Sequence, residues 1–185
     1  MTALSPHVAA FLRERLPRER GASLHTCDTY AHSYRLLFEF AAKLSKTSPS
    51  ALRLEQIDAS LVLAFLAHLE KDRQSSPATR NVRLAAIKSL MRFVEHREPS
   101  ALEQVRQILA IPTKKTDTRL VGYLVAEEMQ ALLDAPDPRT RDGTRDRAML
   151  HVAFSAGLRV SELVGLRLDG VTFEPRLCIR VLGKG

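Results

Sequence analysis

Residues 145–169, Arg-Asp-Arg-Ala-Met-Leu-His-Val-Ala-Phe-Ser-Ala-Gly-Leu-Arg-Val-Ser-Glu-Leu-Val-Gly-Leu-Arg-Leu-Asp, hold the side chains best suited to chemistry. The run reads as a helix over about 145–156 that breaks at Gly157, a natural left-handed C-cap, and restarts at once. That corner puts Arg159 at a helix start, where a guanidinium can fork onto two phosphate oxygens. Glu162 lies one turn further on and is placed to orient it. The same pair at i, i+3 also describes an ordinary surface ion pair, worth about 0.2–0.5 kcal/mol. Spacing leaves both readings open.

A second set lies between Arg80 and Arg92, a run with four basic residues and no acidic one. At about 100° per residue, Asn81, Lys88 and Arg92 share a narrow sector. Leu84, Ile87, Leu90, Met91 and Val94 occupy the neighbouring sector and face a core. Arg80 and Arg83 project from the first turn beside the hydroxyl of Thr79, where the helix dipole also favours phosphate. Such a helix suits a major groove, with Arg and Asn reading base edges and Lys neutralising phosphate. It equally describes the solvated side of an amphipathic helix.

Other chemistry finds no support in the spacing. His7, His25, His32, His68, His96 and His151 form no HExxH or Cys/His ligand pattern, so no metal site is expected. Asp142 and Asp146 stand i, i+4 apart, but Arg141, Arg145 and Arg147 surround them and salt bridges are the better reading. There is no phosphate loop, no dinucleotide glycine pattern and no nucleophile elbow. Cys27 and Cys178 are far apart and are expected as reduced thiols.

The elements that must position these residues are mostly helices. Ser5-Pro6 reads as a cap and first turn, with Val8, Phe11, Leu12 and Leu16 at helical spacing. Ser23 opens a second helix to about 44, whose stripe is Cys27, Tyr30, Tyr34, Leu37, Phe38, Ala41 and Leu44. A loop covers 45–51, and a third helix spans about 59–71 with Leu61, Phe65, Leu66 and Leu69 inward. Ser76-Pro77 caps a fourth, reaching about 95, and a short fifth lies near 101–109. Residues 110–117 read as an interdomain linker. Beyond them come a helix near 126–133, a loop over 134–144, helices over about 145–156 and 160–167, and two short strands around Glu174-Pro175.

The chain has 185 residues, 45% of them hydrophobic, enough for a folded core rather than a disordered segment. No apolar run approaches the roughly 18 residues that a membrane span needs, and the start lacks a secretory leader pattern. The formal net charge is +7. Residues 1–110 carry 16 basic and 11 acidic side chains, residues 111–185 carry 12 and 10, so the excess lies mainly in the helical half. A polyanionic partner is favoured.

The stretch from Asp146 to Leu166 resembles the tyrosine recombinase (phage integrase) family, in the manner of XerC and XerD. The matching residues are Asp146, Ala148, Gly157, Leu158, Arg159, Ser161, Glu162, Leu163 and Leu166. The strand pair and the closing Val-Leu-Gly-Lys-Gly at 181–185 are similar to the family's β-hairpin. The helix starts at Thr26–Tyr30 and 76–81 are similar to its helical core-binding domain.

The resemblance implies a mainly α chain. A SAM-like, DNA-binding bundle of four to five helices (1–109) and a linker (110–117) would precede an incomplete α+β catalytic domain (118–185). It implies DNA breakage and rejoining through a 3′-phosphotyrosine, without metal or nucleotide cofactor. Arg159 would stabilise the scissile phosphate, Lys184 would protonate the leaving 5′ oxygen, and Glu162 would support the arginine. Thr79, Arg80, Asn81, Arg83, Lys88 and Arg92 would bind double-stranded DNA, and sister subunits would join on it. The family's His-x-x-Arg motif and nucleophilic Tyr have no counterpart up to Gly185, and Tyr30, Tyr34 and Tyr123 lie in other contexts. The chain is therefore expected to bind DNA without recombining it, in the cytoplasm and at the nucleoid. The alternative is a non-enzymatic regulator or competitor occupying recombination sites; a helical module binding sister subunits is a third reading.

Overall fold

A computed structural model describes residues 2–117, 122–174, 176 and 178–181. The chain divides into two compact units, Met1–Thr118 and Arg119–Gly185.

The first unit is a bundle of five α-helices. α1 (Leu4–Ala10) runs on into wider π-type turns, Phe11–Glu19. α2 spans Leu24–Ser45, α3 Ala59–Lys71, α4 Pro77–Glu95 and α5 Leu102–Ala110. Two of these starts, at Ser23 and Ser76, follow signals expected from sequence, and α3 adds a cap at Asp58 that was not read there. Ser23 accepts from the backbone N–H of Thr26, Asp58 from Leu61 and Ser76 from Thr79, each satisfying an otherwise orphaned donor.

The first helix starts earlier than its Ser5-Pro6 signal. Residues 2–4 pair with 52–54, through Leu4 N–H to Leu52 O at 3.3 Å and Leu54 N–H to Thr2 O at 2.9 Å. That long-range pairing, rather than a side-chain cap, sets the helix start at Leu4. The apolar stripes meet in one core. Leu84, Ile87, Leu90, Met91 and Val94 of α4 are fully buried, as their sector implied. Tyr34, Leu37 and Ala41 of α2 are also buried, whereas Leu44, expected on the same stripe, is exposed. In α3 Val62, Phe65, Leu66 and Leu69 point inward, and Leu61 is only partly covered. Phe11 joins the helices through edge-on contacts with Tyr34 and Phe93, with centroids 6.1 and 5.4 Å away.

The second unit holds α6 (Ala126–Asp134), α7 (Arg141–Ala156) and α8 (Val160–Val164). A hairpin follows, with β1 (Val171–Thr172) antiparallel to β2 (Cys178–Ile179), pairing Val171 with Ile179 and Thr172 with Cys178. α7 begins four residues before the expected start at Arg145. The cause is Thr140, whose hydroxyl accepts from Gly143 N–H at 3.0 Å. Gly143 fits there because a Cβ would strike the Asp137 carbonyl oxygen. α8 ends at Val164 rather than near 167, and a tight turn over Leu168–Gly170 leads into β1. Among the described residues of this unit, only Leu133 and Gly143 are fully buried. No helix of the described residues is long and apolar enough to cross a membrane.

Candidate functional site

The Arg159 corner is built by backbone geometry. Gly157 ends α7 in the left-handed region at φ +61°, and Leu158 N–H closes back to Ala153 O at 3.0 Å. Arg159 then turns extended and stands as the residue before α8. Glu162 reaches back to it twice. Its carboxylate accepts from Arg159 N–H at 2.9 Å and from Arg159 Nη1 at 2.8 Å. These contacts, the backbone bond foremost, hold the Glu162 carboxyl below its usual range. The Glu162 side chain is only 11% exposed while that of Arg159 is 78% exposed. The carboxylate thus anchors the guanidinium at one edge and leaves the rest facing outward. α8 is a single short turn, so the charge at this corner belongs to the Arg159 side chain rather than to a helix dipole. Lys184, expected to join it, lies outside the described residues.

In the first unit, the residues expected on the DNA-facing side of α4 have other partners. Arg80 is 5% exposed and donates to Pro112 O at 3.0 Å and Asn81 Oδ1 at 3.2 Å. Asn81 makes a reciprocal pair with the chain at Lys114, donating to its carbonyl at 2.7 Å and accepting from its N–H at 3.0 Å. Lys88 Nζ donates to Ile111 O at 2.5 Å. Burial, then Arg92 and Arg80, lower the Lys88 pKa. Lys114 Nζ in turn meets both Glu70 oxygens at 2.7 and 3.0 Å. Ile111 is buried in the core. Residues 111–114, at the start of the segment expected as a linker, are therefore a strap laid along α4.

Arg83 turns the other way, toward α2. Its Nη1 donates to Ser33 Oγ at 3.0 Å and Thr29 O at 3.4 Å, while its buried Nε has no partner among the described residues. Burial, then Arg73, pull its pKa down. A groove opens between the starts of α2 and α4, lined by His25, Asp28, Thr29, His32, Thr79, Val82 and Arg83. Arg35 Nη2 lies 3.2 Å from His32 Nδ1. Of the expected set, Thr79 and Arg83 thus line this groove, and Arg92 is exposed near the far end of α4. His25, His32 and Arg73 were not singled out from sequence. His25, Thr29 and His32 do recur at helical spacing on the polar side of α2, which is the signal that marks them. Among the described residues, no group of His, Cys, Asp and Glu is arranged to hold a metal ion.

A capped helical bundle joined to a Gly-Leu-Arg corner and a small hairpin defines the architecture of a phage-integrase-type protein. Comparison with known proteins agrees. The profile described as "Phage integrase, N-terminal SAM-like domain" matches residues 8–98, and that described as "Phage integrase family" matches residues 122–185. The chain belongs to the tyrosine recombinase (phage integrase) family.

It is 42% identical over 183 residues to the putative integrase/recombinase y4rC of Sinorhizobium fredii, covering 99% of this chain and 55% of that protein. It is 35% identical over 185 residues to tyrosine recombinase XerC of Myxococcus xanthus, covering 100% of this chain and 58% of that protein. The fold is similar to that of XerH site-specific recombinase, solved bound to palindromic difH substrate in a post-cleavage complex. The TM-score is 0.59 and the identity 21%, with 95% of this chain and 51% of that chain covered. The chain spans from 51% to 65% of the length of the curated relatives named for this family.

Proposed function

We propose that this chain is the DNA-binding portion of a site-specific tyrosine recombinase, with the first unit gripping duplex DNA and the second contributing Arg159 to the scissile phosphate. The observation that carries the reading is the Arg159 corner, an outward guanidinium anchored by a carboxylate that the backbone itself holds in place. In the complete reaction a tyrosine hydroxyl attacks the phosphodiester, forms a 3′-phosphotyrosine and expels the 5′ oxygen. Arg159 stabilises charge on the non-bridging oxygens, Lys184 supplies the proton to the leaving oxygen, and Glu162 positions Arg159 without touching substrate. The duplex lies against the groove between α2 and α4, with Thr79, Arg83 and Arg92 toward it. Arg80, Asn81 and Lys88 serve that surface through the strap they hold. Sister subunits assemble beside this one on the DNA, and the chain works at the nucleoid.

The 185 residues alone bind DNA without cutting it. Tyr34 is buried, its hydroxyl donates to Ala86 O at 2.8 Å, and burial pushes its pKa far up, so it is a poor nucleophile. Tyr30 packs edge-on against Tyr34. Tyr123 is exposed and lies before α6, outside the context that the family's nucleophile occupies.

The test is a gel shift with a duplex across a salt titration, in parallel with a nicked suicide substrate that traps covalent complexes. Binding should weaken steeply with salt, since each neutralised phosphate contributes a slope of about −0.9 in log K against log salt. Arg83→Ala should lower affinity several-fold, and the suicide substrate should yield no covalent product. Absence of binding at about 50 mM salt would overturn the DNA reading. A covalent adduct would overturn the inactive one.

A further inference from the structure

The groove between α2 and α4 carries an unusual concentration of positive charge around one imidazole. His32 lines the groove together with Arg83 of α4 and contacts Arg35 of its own helix, and the charge of Arg73, in the turn between α3 and α4, also acts on it. Glu39 is the nearby carboxylate and also meets Arg35 at 3.5 Å. His25 and Asp28 line the same groove. An arginine can only donate, so the contact from Arg35 Nη2 to His32 Nδ1 at 3.2 Å requires that nitrogen to accept. Free His32 is therefore the neutral imidazole with its proton on Nε2. Burial, then Arg83, Arg35 and Arg73, depress its pKa below the ordinary value, which agrees with the geometry. The arginines outnumber the carboxylates, and Arg83 keeps a buried Nε–H with no partner among the described residues. An anion that entered would relieve this repulsion.

We infer that His32 is a phosphate-binding residue that takes up a proton when a DNA backbone phosphate enters the groove. The inference rests on the proposed DNA-binding role. The sign follows from the charges. In the free protein three arginines disfavour imidazolium; a phosphodiester offsets them and favours it. Protonation at Nδ1 also ends acceptance from Arg35, which frees that guanidinium to turn toward the same phosphate. Binding is then linked to uptake of one proton, and affinity falls as pH rises through the pKa of the bound state. For one proton the limit is about tenfold per pH unit.

The experiment is fluorescence anisotropy with a labelled duplex from pH 5.5 to 8 at constant ionic strength, for the unchanged chain, His32→Gln, His32→Arg and His96→Gln, the last at an exposed histidine outside the groove. Circular dichroism confirms that each variant folds. The unchanged chain and His96→Gln should lose affinity three- to tenfold between pH 6 and 7.5. His32→Gln should bind weakly and nearly evenly over that range, and His32→Arg tightly and evenly. An equal pH slope in the unchanged chain and His32→Gln would overturn the proton linkage while leaving DNA binding intact. An evenly binding unchanged chain would overturn it as well. If the unchanged chain fails to bind at pH 6 and low salt, the DNA-binding reading itself falls, and the proposal with it.

Discussion

Asn81→Ala separates two roles for the polar side of α4. In the structure Asn81 spends both ends of its amide on residue 114, at 2.7 and 3.0 Å, and these contacts keep the strap parallel to the helix. Both bonds are exposed to water, so each contributes about 0.5–1 kcal/mol net. Their loss should make local opening of the strap easier by about 1–2 kcal/mol, a factor of roughly 5–30. Amide exchange resolved by NMR reads this directly: the Lys114 amide should exchange faster by that factor. Amides in the middle of α2 and α3 should be unaffected. DNA affinity, measured alongside, should fall by no more than about twofold, well short of the loss expected for Arg83→Ala. If Lys114 exchange is unchanged while affinity drops as far as it does for Arg83→Ala, Asn81 is a direct DNA contact and the strap reasoning is refuted.

Two glycines that shape α7, Gly143 and Gly157, should respond differently to alanine. At Gly157 a Cβ meets open space and only the positive φ opposes it, so Gly157→Ala should cost about 1–2 kcal/mol. At Gly143 a Cβ collides with the Asp137 backbone, so Gly143→Ala should cost roughly 3 kcal/mol or more; exchange rates across α7 should rise much more for this variant, and equal effects would contradict the packing described. The second unit exposes Tyr123, Leu124, Phe154, Val160, Val164, Leu168 and Phe173, whereas the bundle has one continuous core. Limited proteolysis should therefore cut within residues 119–185 before it cuts within 1–110, and the reverse order of fragments would show the bundle to be the weaker unit.

Much of the bundle was legible because its signals are short-range. Ser23 and Ser76 each cap an N–H three residues ahead, and the buried faces of α3 and α4 repeat every three to four residues. The Arg159 corner was legible for the same reason: Gly157, Arg159 and Glu162 all lie within a stretch of six residues. Where reading failed locally, a signal was present but outweighed. Thr140 carried the cap for α7, yet Pro138, Gly143 and the charged residues among them read as loop. Ser5-Pro6 looked like a start, but the pairing of residues 2–4 with 52–54 moved it.

By itself, then, the sequence determined the helices, the excess of positive charge in the first half, the recombinase family and the anchored arginine. Each depends on residues within about four positions of one another or on an ordered motif. Only the tertiary structure decided how the basic side chains of α4 are spent. Arg80 and Asn81 meet residues 112 and 114, Lys88 meets 111, and Arg83 meets 29 and 33, all partners at least 23 positions away. Helical periodicity gives the direction in which such a side chain leaves its own axis. What it finds there is fixed only when another segment packs alongside, because a buried or half-buried cation must be met by whatever carbonyl or hydroxyl that packing brings within reach.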